Sequence, residues 1–440
     1  MIALPAGAAA ILDRIERAGY TAWAVGGCVR DSLRGETPND WDITTSARPG
    51  EIVRVLGGLR VKPTGLKHGT VTVRADGADY EVTTYRVESS YSDGRHPDEV
   101  TFVDSIEDDL ARRDFTINAM AWSPKRGLCD PFGGQVDIQN GIIRAVGDPS
   151  RRFTEDALRI LRGLRFASRT GYAVEPATAQ AMRDCASLLD AIAPERIREE
   201  LLGLLGGRYV GRVLTAYPDL VTHVLPELAP MVGHGQFNPH HKFDIWEHTV
   251  RAVEAAPDDP VLRMAVLLHD CGKPACFTRD ERGVGHFYGH PEAGAAIAAR
   301  ILERLRFSNA DRARIELLVR YHDYPLGDDA RTVRRRLARF GEANFRALLL
   351  MKKCDCTGQL TFPEHLVGLD RTARLADQAL AGQACLSLRQ LAVRGDDLTA
   401  LGLRGREVGA MLERLLAGVV EGTLENDKTA LLAYAKETRT

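Results

Sequence analysis

This 440-residue chain carries little that would place it in a special structural class. Its formal net charge is only −2, so any grip on a polyanion must come from a local basic patch rather than from the chain as a whole. Eight cysteines are scattered along it without one C-x-x-C pair, which argues against a disulfide framework and against a zinc ribbon. Cys354 and Cys356 form a lone C-x-C and read as ordinary, partly buried thiols. No window approaches the roughly 18 uninterrupted apolar residues of a membrane span. The opening MIALPAGAAAILDRIERAG carries acids early and makes a poor signal peptide. Internal repeats, low-complexity tracts and the dinucleotide fingerprint G-x-G-x-x-G are absent too, which weakens a Rossmann reading. What remains is an ordinary globular composition, 44% hydrophobic and 27% charged, long enough for roughly two to four domains. A cytoplasmic protein with reduced thiols is the expectation.

The texture changes once along the chain. Residues 8–19 read as an amphipathic helix, TAWAVGG as a strand entering a glycine turn, and VRDSLRG as a helical turn stopped by Gly35. DWDITTS, GTVTVRAD and ADYEVTTYRV are β-rich segments separated by turn residues, so the first 140 residues predict a mixed α/β unit around a small sheet. From about Arg151 onward helix follows helix, with a Gly/Pro/His-rich break at MVGHGQFNPHHKF. The expected division is a head at 1–140, a helical neck at 141–230, a further helical domain at 231–350 and a helical tail at 351–440.

Chemistry first shows in VGGCVRDSLRGETPNDWDITTS. On a strand, residues i and i+2 share a face, so Asp40 and Asp42 would stand side by side while Trp41 turns into the core. Two like charges held that close are unfavourable unless a cation lies between them. A pair of Mg²⁺ ions about 3.5–4 Å apart is a common remedy, clamping the attacking and leaving oxygens of a phosphoryl transfer. Glu81, in YEVTTYR, is the best-placed third acid. Backbone amides at the Gly26-Gly27 turn could cradle phosphate oxygens. A solvated acidic loop is the plain alternative for a lone D-x-D.

A second pattern is EDALR. Asp156 and Arg159 are three residues apart and would share a helical face. Cytosine and adenine each offer an amine donor beside a ring-nitrogen acceptor, which an aspartate and an arginine can match. Guanine and uracil reverse that order and would leave both side chains unsatisfied, at about 1–3 kcal/mol for each buried partner. The competing reading is a helix ion pair worth only about 0.3–0.5 kcal/mol. Arg159, Arg162, Arg165 and Arg169 recur at helical spacing, a basic stripe suited to an RNA backbone or to nucleotide phosphates.

Together GGCVRD, NDWDITTS, GTVTV, EVTTYR, EDDLARRDFTINAMAW with DPFGGQVDI, RFTEDALRILRGLRFASRTGY and APERIREEL resemble, in order, the motifs of tRNA nucleotidyltransferases of the bacterial and eukaryotic type. GTLENDKTALLAYAK resembles their C-terminal tail. The resemblance implies an α+β, polymerase-β-like head followed by all-α domains, and template-independent addition of C, C and A to the 3′ end of tRNA from CTP and ATP. It implies Asp40 and Asp42 as Mg²⁺ ligands with Glu81 as a third acid. Gly26, Gly27, Arg30, Arg112, Arg113, Asp114 and Asn118 would hold the triphosphate and ribose, and Asp156 and Arg159 the base, with Arg162 and Arg165 beside them. A poly(A) polymerase, or an enzyme adding only CC or only A, would share these motifs. VESSYSDGRHPDEVTFVDS, between Glu88 and Ser105, predicts a mobile loop beside this site.

Residues 244–355 hold a different constellation: His248, the doublet His269-Asp270 in LLHDCGKP, His290, His322 and Asp355. Imidazoles and carboxylates on several helices can converge inside one bundle, and the doublet's aspartate could bridge two metals. The order resembles the HD superfamily of metal-dependent phosphohydrolases. That resemblance implies His248, His269, Asp270 and Asp355 as core ligands, with His290 and His322 added in a two-metal variant. A divalent transition metal and phosphomonoesters or 2′,3′-cyclic phosphates would be its cofactor and substrates. An HD hydrolase carrying an inactive transferase head is the reading from another class. His234, His240, His241 and His286 lack the motif spacing and read as loop residues. No protein partner is evident.

Overall fold

In the strand Ala22–Val25 (β1), alternate residues go to opposite sides of a sheet: Ala22 and Ala24 enter one apolar cluster, Trp23 and Val25 another. This computed structural model describes residues 2–62, 65–88, 100–238, 242–357 and 362–438. β1 lies within a seven-stranded sheet with β2 (Asp42–Thr45), β3 (Arg60–Lys62), β4 (Thr70–Ala75), β5 (Ala78–Thr84), and the strands Ala121–Ser123 and Gly127–Cys129. The order is β3-β4-β5-β2-β1, then the last two strands in sequence. Neighbours are antiparallel except β2 and β5, which run parallel with Asp42 opposite Glu81.

Helix α1 (Ala6–Arg17) covers one face of the sheet, burying Ala8, Ile11, Leu12 and Ile15 on the i, i+3, i+4, i+7 stripe that its sequence predicts. The short helices α2 (Gly27–Leu33), α3 (Pro49–Val55), α4 (Ile106–Ala111) and α5 (Gly134–Asn140) complete this part. Then come α6 (Pro149–Glu155), α7 (Leu158–Thr170), α8 (Pro176–Asp184), α9 (Pro194–Leu205), α10 (Val210–Ala216) and α11 (Pro218–Val224). Asp148 accepts from the Arg151 amide at 2.7 Å and Pro149 occupies the first turn, so α6 begins where a cap and a proline dictate. Residues 1–226 form one compact body: an α+β head followed by helices, as expected.

Residues 227–440 form a second body. Its first helices are α12 (Ile245–Ala255), α13 (Pro260–Leu268), α14 (His290–Arg304) and α15 (Asn309–Tyr321). Asp244, Asp259 and Ser308 cap three of them with side-chain oxygens. VLRMAVLL in α13 is nearly all apolar, and Leu262 through Leu268 are all buried, so this helix runs through the middle of the core. α16 (Ala330–Cys356) is broken at Gly341, whose φ of 73° and ψ of 159° divide it into two helical pieces. The domain boundary expected at 350 falls inside this helix. α17 (Phe362–Ala381) follows, and α18 (Gly395–Ala400), α19 (Arg406–Glu421) and α20 (Lys428–Glu437) close on a small core of Leu398, Leu415, Leu431 and Ala435. No helix among the described residues is long and apolar enough to cross a membrane.

Candidate active site and metal centre

The first body contains a cavity of about 830 Å³. Its walls carry eight arginines (30, 86, 112, 113, 159, 162, 165 and 196) against four aspartates (40, 42, 114 and 156). Arginines outnumber aspartates on the wall itself, while Asp31, Asp109, Glu155 and Glu200 hold several of them from behind, so the cavity presents guanidinium groups already fixed in place.

Asp40 and Asp42 lie on this wall, while Trp41 between them is only 9% exposed and sits in the core below the sheet. Asp40 precedes β2, which begins at Asp42. Glu81 is the cross-strand partner of Asp42, so the parallel pairing of β2 and β5 sets the third acid beside Asp42, although it is not among the residues that line the cavity. Confinement raises the Asp42 pKa above the ordinary carboxylate value, Glu81 and Asp40 add to the rise, and Arg113 opposes it. Hard oxygen donors whose charges crowd one another suit Mg²⁺, which relieves that repulsion.

Gly26 has a φ of 77°, and a Cβ there would stand 2.8 Å from an Arg113 guanidinium nitrogen. Only glycine fits without displacing that arginine. Arg30, on α2, donates to the Asn118 side-chain oxygen at 2.6 Å and Nε to Asp31 at 2.8 Å. Asn118 donates to Asp114 at 3.0 Å. Asp114 in turn receives Nε and Nη2 of Arg162 at 2.9 and 2.7 Å. Burial alone would raise the Asp114 pKa; Arg162 and Asn118 outweigh it and hold the carboxyl far below its usual range.

Besides His68, Thr70, Arg86 and Arg196 on the cavity wall, three further participants escaped the sequence reading. Asp109, fully buried, accepts Nε and Nη2 of Arg112 at 3.1 and 2.8 Å, a longer contact from Arg113 at 3.4 Å, and the backbone amide of Arg86 at 3.3 Å. Its spacing of three and four residues from the two arginines was the available signal. Glu200, on α9, takes Arg165 at 2.6 Å and approaches Arg162 at 3.9 Å. No local pattern announces that contact across 35 residues. Phe166 stacks beneath three guanidinium groups, those of Arg30, Arg162 and Arg165, at 5.2, 5.6 and 4.7 Å from its ring centre.

One expectation is corrected. Asp156 and Arg159 do not share a helical face, because α6 ends at Glu155 and Asp156 is extended, with φ −147° and ψ 100°. Its Oδ1 accepts from the Leu158 amide at 3.1 Å at the start of α7, and its Oδ2 accepts from Arg196 at 3.2 Å. An aspartate can satisfy the open amides of a helix start better than it can sit inside the helix, so the local bond prevails over helical continuity. Arg159 pairs with Glu155 at 2.9 Å instead and donates to the Arg112 carbonyl at 3.1 Å. The basic stripe of α7 is real for Arg159, Arg162 and Arg165, which line the cavity; Arg169 is exposed and does not. Most of the loop expected between 88 and 105 lies outside the described residues; the flanks Arg86–Glu88 and Val100–Phe102 pair as antiparallel strands.

The second body brings together all six expected metal-type residues. His248, His269, Asp270 and Asp355 form one set with donor atoms within 4.8 Å of one another; Asp270, His290 and His322 form another. His248 Nε2 lies 2.7 Å from Asp355, and His290 Nε2 3.1 Å from His322 Nε2. Nδ1 of His269, His290 and His322 each faces the backbone carbonyl three residues earlier, at 2.6, 2.9 and 2.7 Å. That bond fixes the tautomer and turns Nε2 toward the shared centre. His269 Nε2 is buried and points at Asp270 Oδ2 from 3.2 Å, and the same oxygen faces the Lys273 ammonium at 2.7 Å. Imidazole and carboxylate donors gathered in two such sets could hold a divalent cation, and that donor chemistry fits a first-row transition metal. Burial would raise the Asp270 and Asp355 pKa values, but His248 and His269 keep both far below normal, helped at Asp270 by Lys273 at 2.7 Å. Cys354 and Cys356 are buried and their thiols are pushed up to about 11, which leaves them inert. His240 and His241 lie outside the described residues. His286 is not a loop residue: it pairs with Thr278 in a short antiparallel ladder.

Three family models match in order along the chain. Residues 22–144 match the poly A polymerase head domain, 171–231 a probable RNA- and SrmB-binding site of polymerase A, and 240–356 the HD domain. The chain is 36% identical to a CCA-adding enzyme of Levilactobacillus brevis, covering 96% of this chain and 95% of that one. Identity to the corresponding protein of Lactiplantibacillus plantarum reaches 50% over 199 residues, 45% of this chain and 48% of the other. Among solved structures, a Bacillus stearothermophilus CCA-adding enzyme in complex with CTP superposes with a TM-score of 0.75 at 30% identity, covering 98% of this chain and 97% of that one. With such similarity along nearly its whole length, the chain belongs to the CCA-adding enzymes, a family of nucleotidyltransferases.

Proposed function

We propose that this protein adds C, C and A to the 3′ end of tRNA without a template, using CTP and ATP and releasing pyrophosphate. The observation that carries it is the joining, in one arginine-rich cavity, of the acids Asp40 and Asp42 with the pair Asp156 and Arg159. Asp40 and Asp42, with Glu81 behind them, would hold Mg²⁺, which when bound favours ionisation of the tRNA hydroxyl and offsets charge developing on the triphosphate. Arg112 and Arg113, pinned by Asp109, present forked donors to phosphate oxygens, and Gly26 leaves room for Arg113 to do so. Asp156, held by Arg196 and by the start of α7, offers a carboxylate to the base amine, and Arg159 offers a donor to the ring nitrogen. The terminal oxygen attacks the α-phosphorus, that P–O bond forms, the bond to the β-phosphate oxygen breaks, and pyrophosphate carries the charge away. Positioning and fixed charge supply most of the barrier reduction.

The test is a set of end-labelled extensions. tRNA lacking CCA should gain CC with CTP alone and CCA with both nucleotides, and tRNA ending in CC should gain a single A with ATP. Addition restricted to CC or to A would replace this reading with a partial enzyme, and an A tail of unlimited length with a poly(A) polymerase.

The paired donor sets in the second body favour an additional activity: hydrolysis of phosphate esters, phosphomonoesters or 2′,3′-cyclic phosphates, with a divalent transition metal held by His248, His269, Asp270, Asp355, His290 and His322. Ester turnover by the full chain with Mn²⁺, lost in His269→Ala while CMP and AMP incorporation continue, tests it.

A further inference from the structure

The chamber beside the two donor sets has a volume of about 340 Å³, the scale of one nucleotide rather than of a folded polymer, and one wall of it is aromatic. Tyr288 is 80% exposed although its ring lines the same space as Asp270, His290 and His322. It lies against His286 with ring centres 5.3 Å apart and planes only 9° from parallel. A tyrosine this exposed contributes almost nothing to folding, yet it stands two residues before His290 and has one ring face already backed.

The backing is held at several points. His286 bonds Asp280 at 3.1 Å and pairs with Thr278 in the hairpin. Gly285 touches the chain so closely that a Cβ would come within 2.2 Å of the Gln236 carbonyl, and its amide donates to Phe237 at 2.8 Å. Gln236 also receives Lys273 at 2.9 Å, which ties the platform to the Asp270 centre. Gly289, with φ of 80°, then turns the chain into α14 so that Tyr288 and His290 lie on one chamber.

We propose that Tyr288, supported by His286, is the specificity-determining residue of this second site: it stacks on the base of a nucleoside phosphate whose phosphate lies at the two donor sets. The proposal rests on the hydrolase reading above. In the reaction, water adds to phosphorus, the ester P–O bond breaks, and the nucleoside leaves as an alcohol carrying a proton from that water. Stacking tolerates any base, because each has a π face, and it excludes esters without a ring.

The experiment compares adenosine 3′-monophosphate with glycerol 2-phosphate as substrates of the full-length protein in Mn²⁺. Tyr288→Ala should raise KM for the nucleotide about tenfold, the size of one lost base–aromatic stack, with kcat held within about twofold. Its kinetics on glycerol 2-phosphate should not change, and Tyr288→Trp should restore the nucleotide KM. Equal turnover of both esters, indifferent to Tyr288→Ala, would overturn the platform while leaving the hydrolase intact. Failure of the wild-type chain to cleave either ester would overturn the hydrolase, and the platform with it.

Discussion

Replacing Asp109 with asparagine sets two effects of opposite sign against each other. Removing a buried negative charge makes the cavity more positive, which for a phosphate charge at about 10 Å and an effective dielectric of about 20 is worth 1–2 kcal/mol of added attraction, less in salt. Against this, the amide cannot accept from Arg112 and Arg113 as a carboxylate does, and each released guanidinium regains up to about 2 kcal/mol of rotamer freedom that nucleotide binding must then remove. With both arginines loosened from this anchor, the second effect prevails, and KM for CTP should rise about tenfold. Stability falls as well. Arg112 and Arg113 keep 17% and 21% exposure, so water in the cavity receives them, and the loss is that of charge-assisted hydrogen bonds, about 1.5–3 kcal/mol, rather than of a stranded ion pair. For a body of this size that is a fall of roughly 3–10 °C in Tm. Burial alone would raise the Asp109 pKa; the two arginines lower it instead, so its contribution is complete above the unfolded value of about 3.9 and fades only as pH falls through the folded one. The Tm difference between wild type and Asp109→Asn should therefore be equal at pH 8 and pH 6. Calorimetry at both pH values and initial rates across CTP concentration make the check. A variant with unchanged KM, or with a KM below that of the wild type, would refute the reasoning that geometry outweighs charge here.

Further expectations can be measured with the same protein. Gly26→Ala should lower CTP affinity more than tenfold, because the residue must keep a φ of 77° and displace Arg113 from 2.8 Å; an unaffected KM would show that the turn yields freely. Arg196→Ala should relax discrimination against UTP and GTP by freeing the Asp156 carboxylate it holds at 3.2 Å, and misincorporation assays should find the same bases admitted by Asp156→Ala. Ile43→Ala, at a core site 1% exposed, should cost about 2–5 kcal/mol in denaturant unfolding while the nucleotide selectivity of the remaining folded enzyme stays as it was.

Legibility in the sequence followed the range of the interaction. The alternation of Asp40, Trp41 and Asp42 was readable, although the strand begins only at Asp42: the structure places the two acids on the cavity and the indole in the core. The six histidines and aspartates of the second body were readable because their chemistry is distinctive even when the helices that carry them are far apart in sequence. The break at Asp156 was not, since helical spacing through EDALR says nothing of a side chain that turns back to cap the next helix. Nor was the division of the arginines among Asp109, Glu155, Asp114 and Glu200, two of which lie 35 and 48 residues from their partners. A periodic stripe gives charge; only the fold decides how much of it is already answered.

Asp270 belongs to both donor sets. On the proposed reading that both sets hold metal, this carboxylate would turn Oδ2 to the first and Oδ1 to the second, so a metal titration should depart from two independent isotherms. On the same reading, one replacement at this residue takes a ligand from both positions at once.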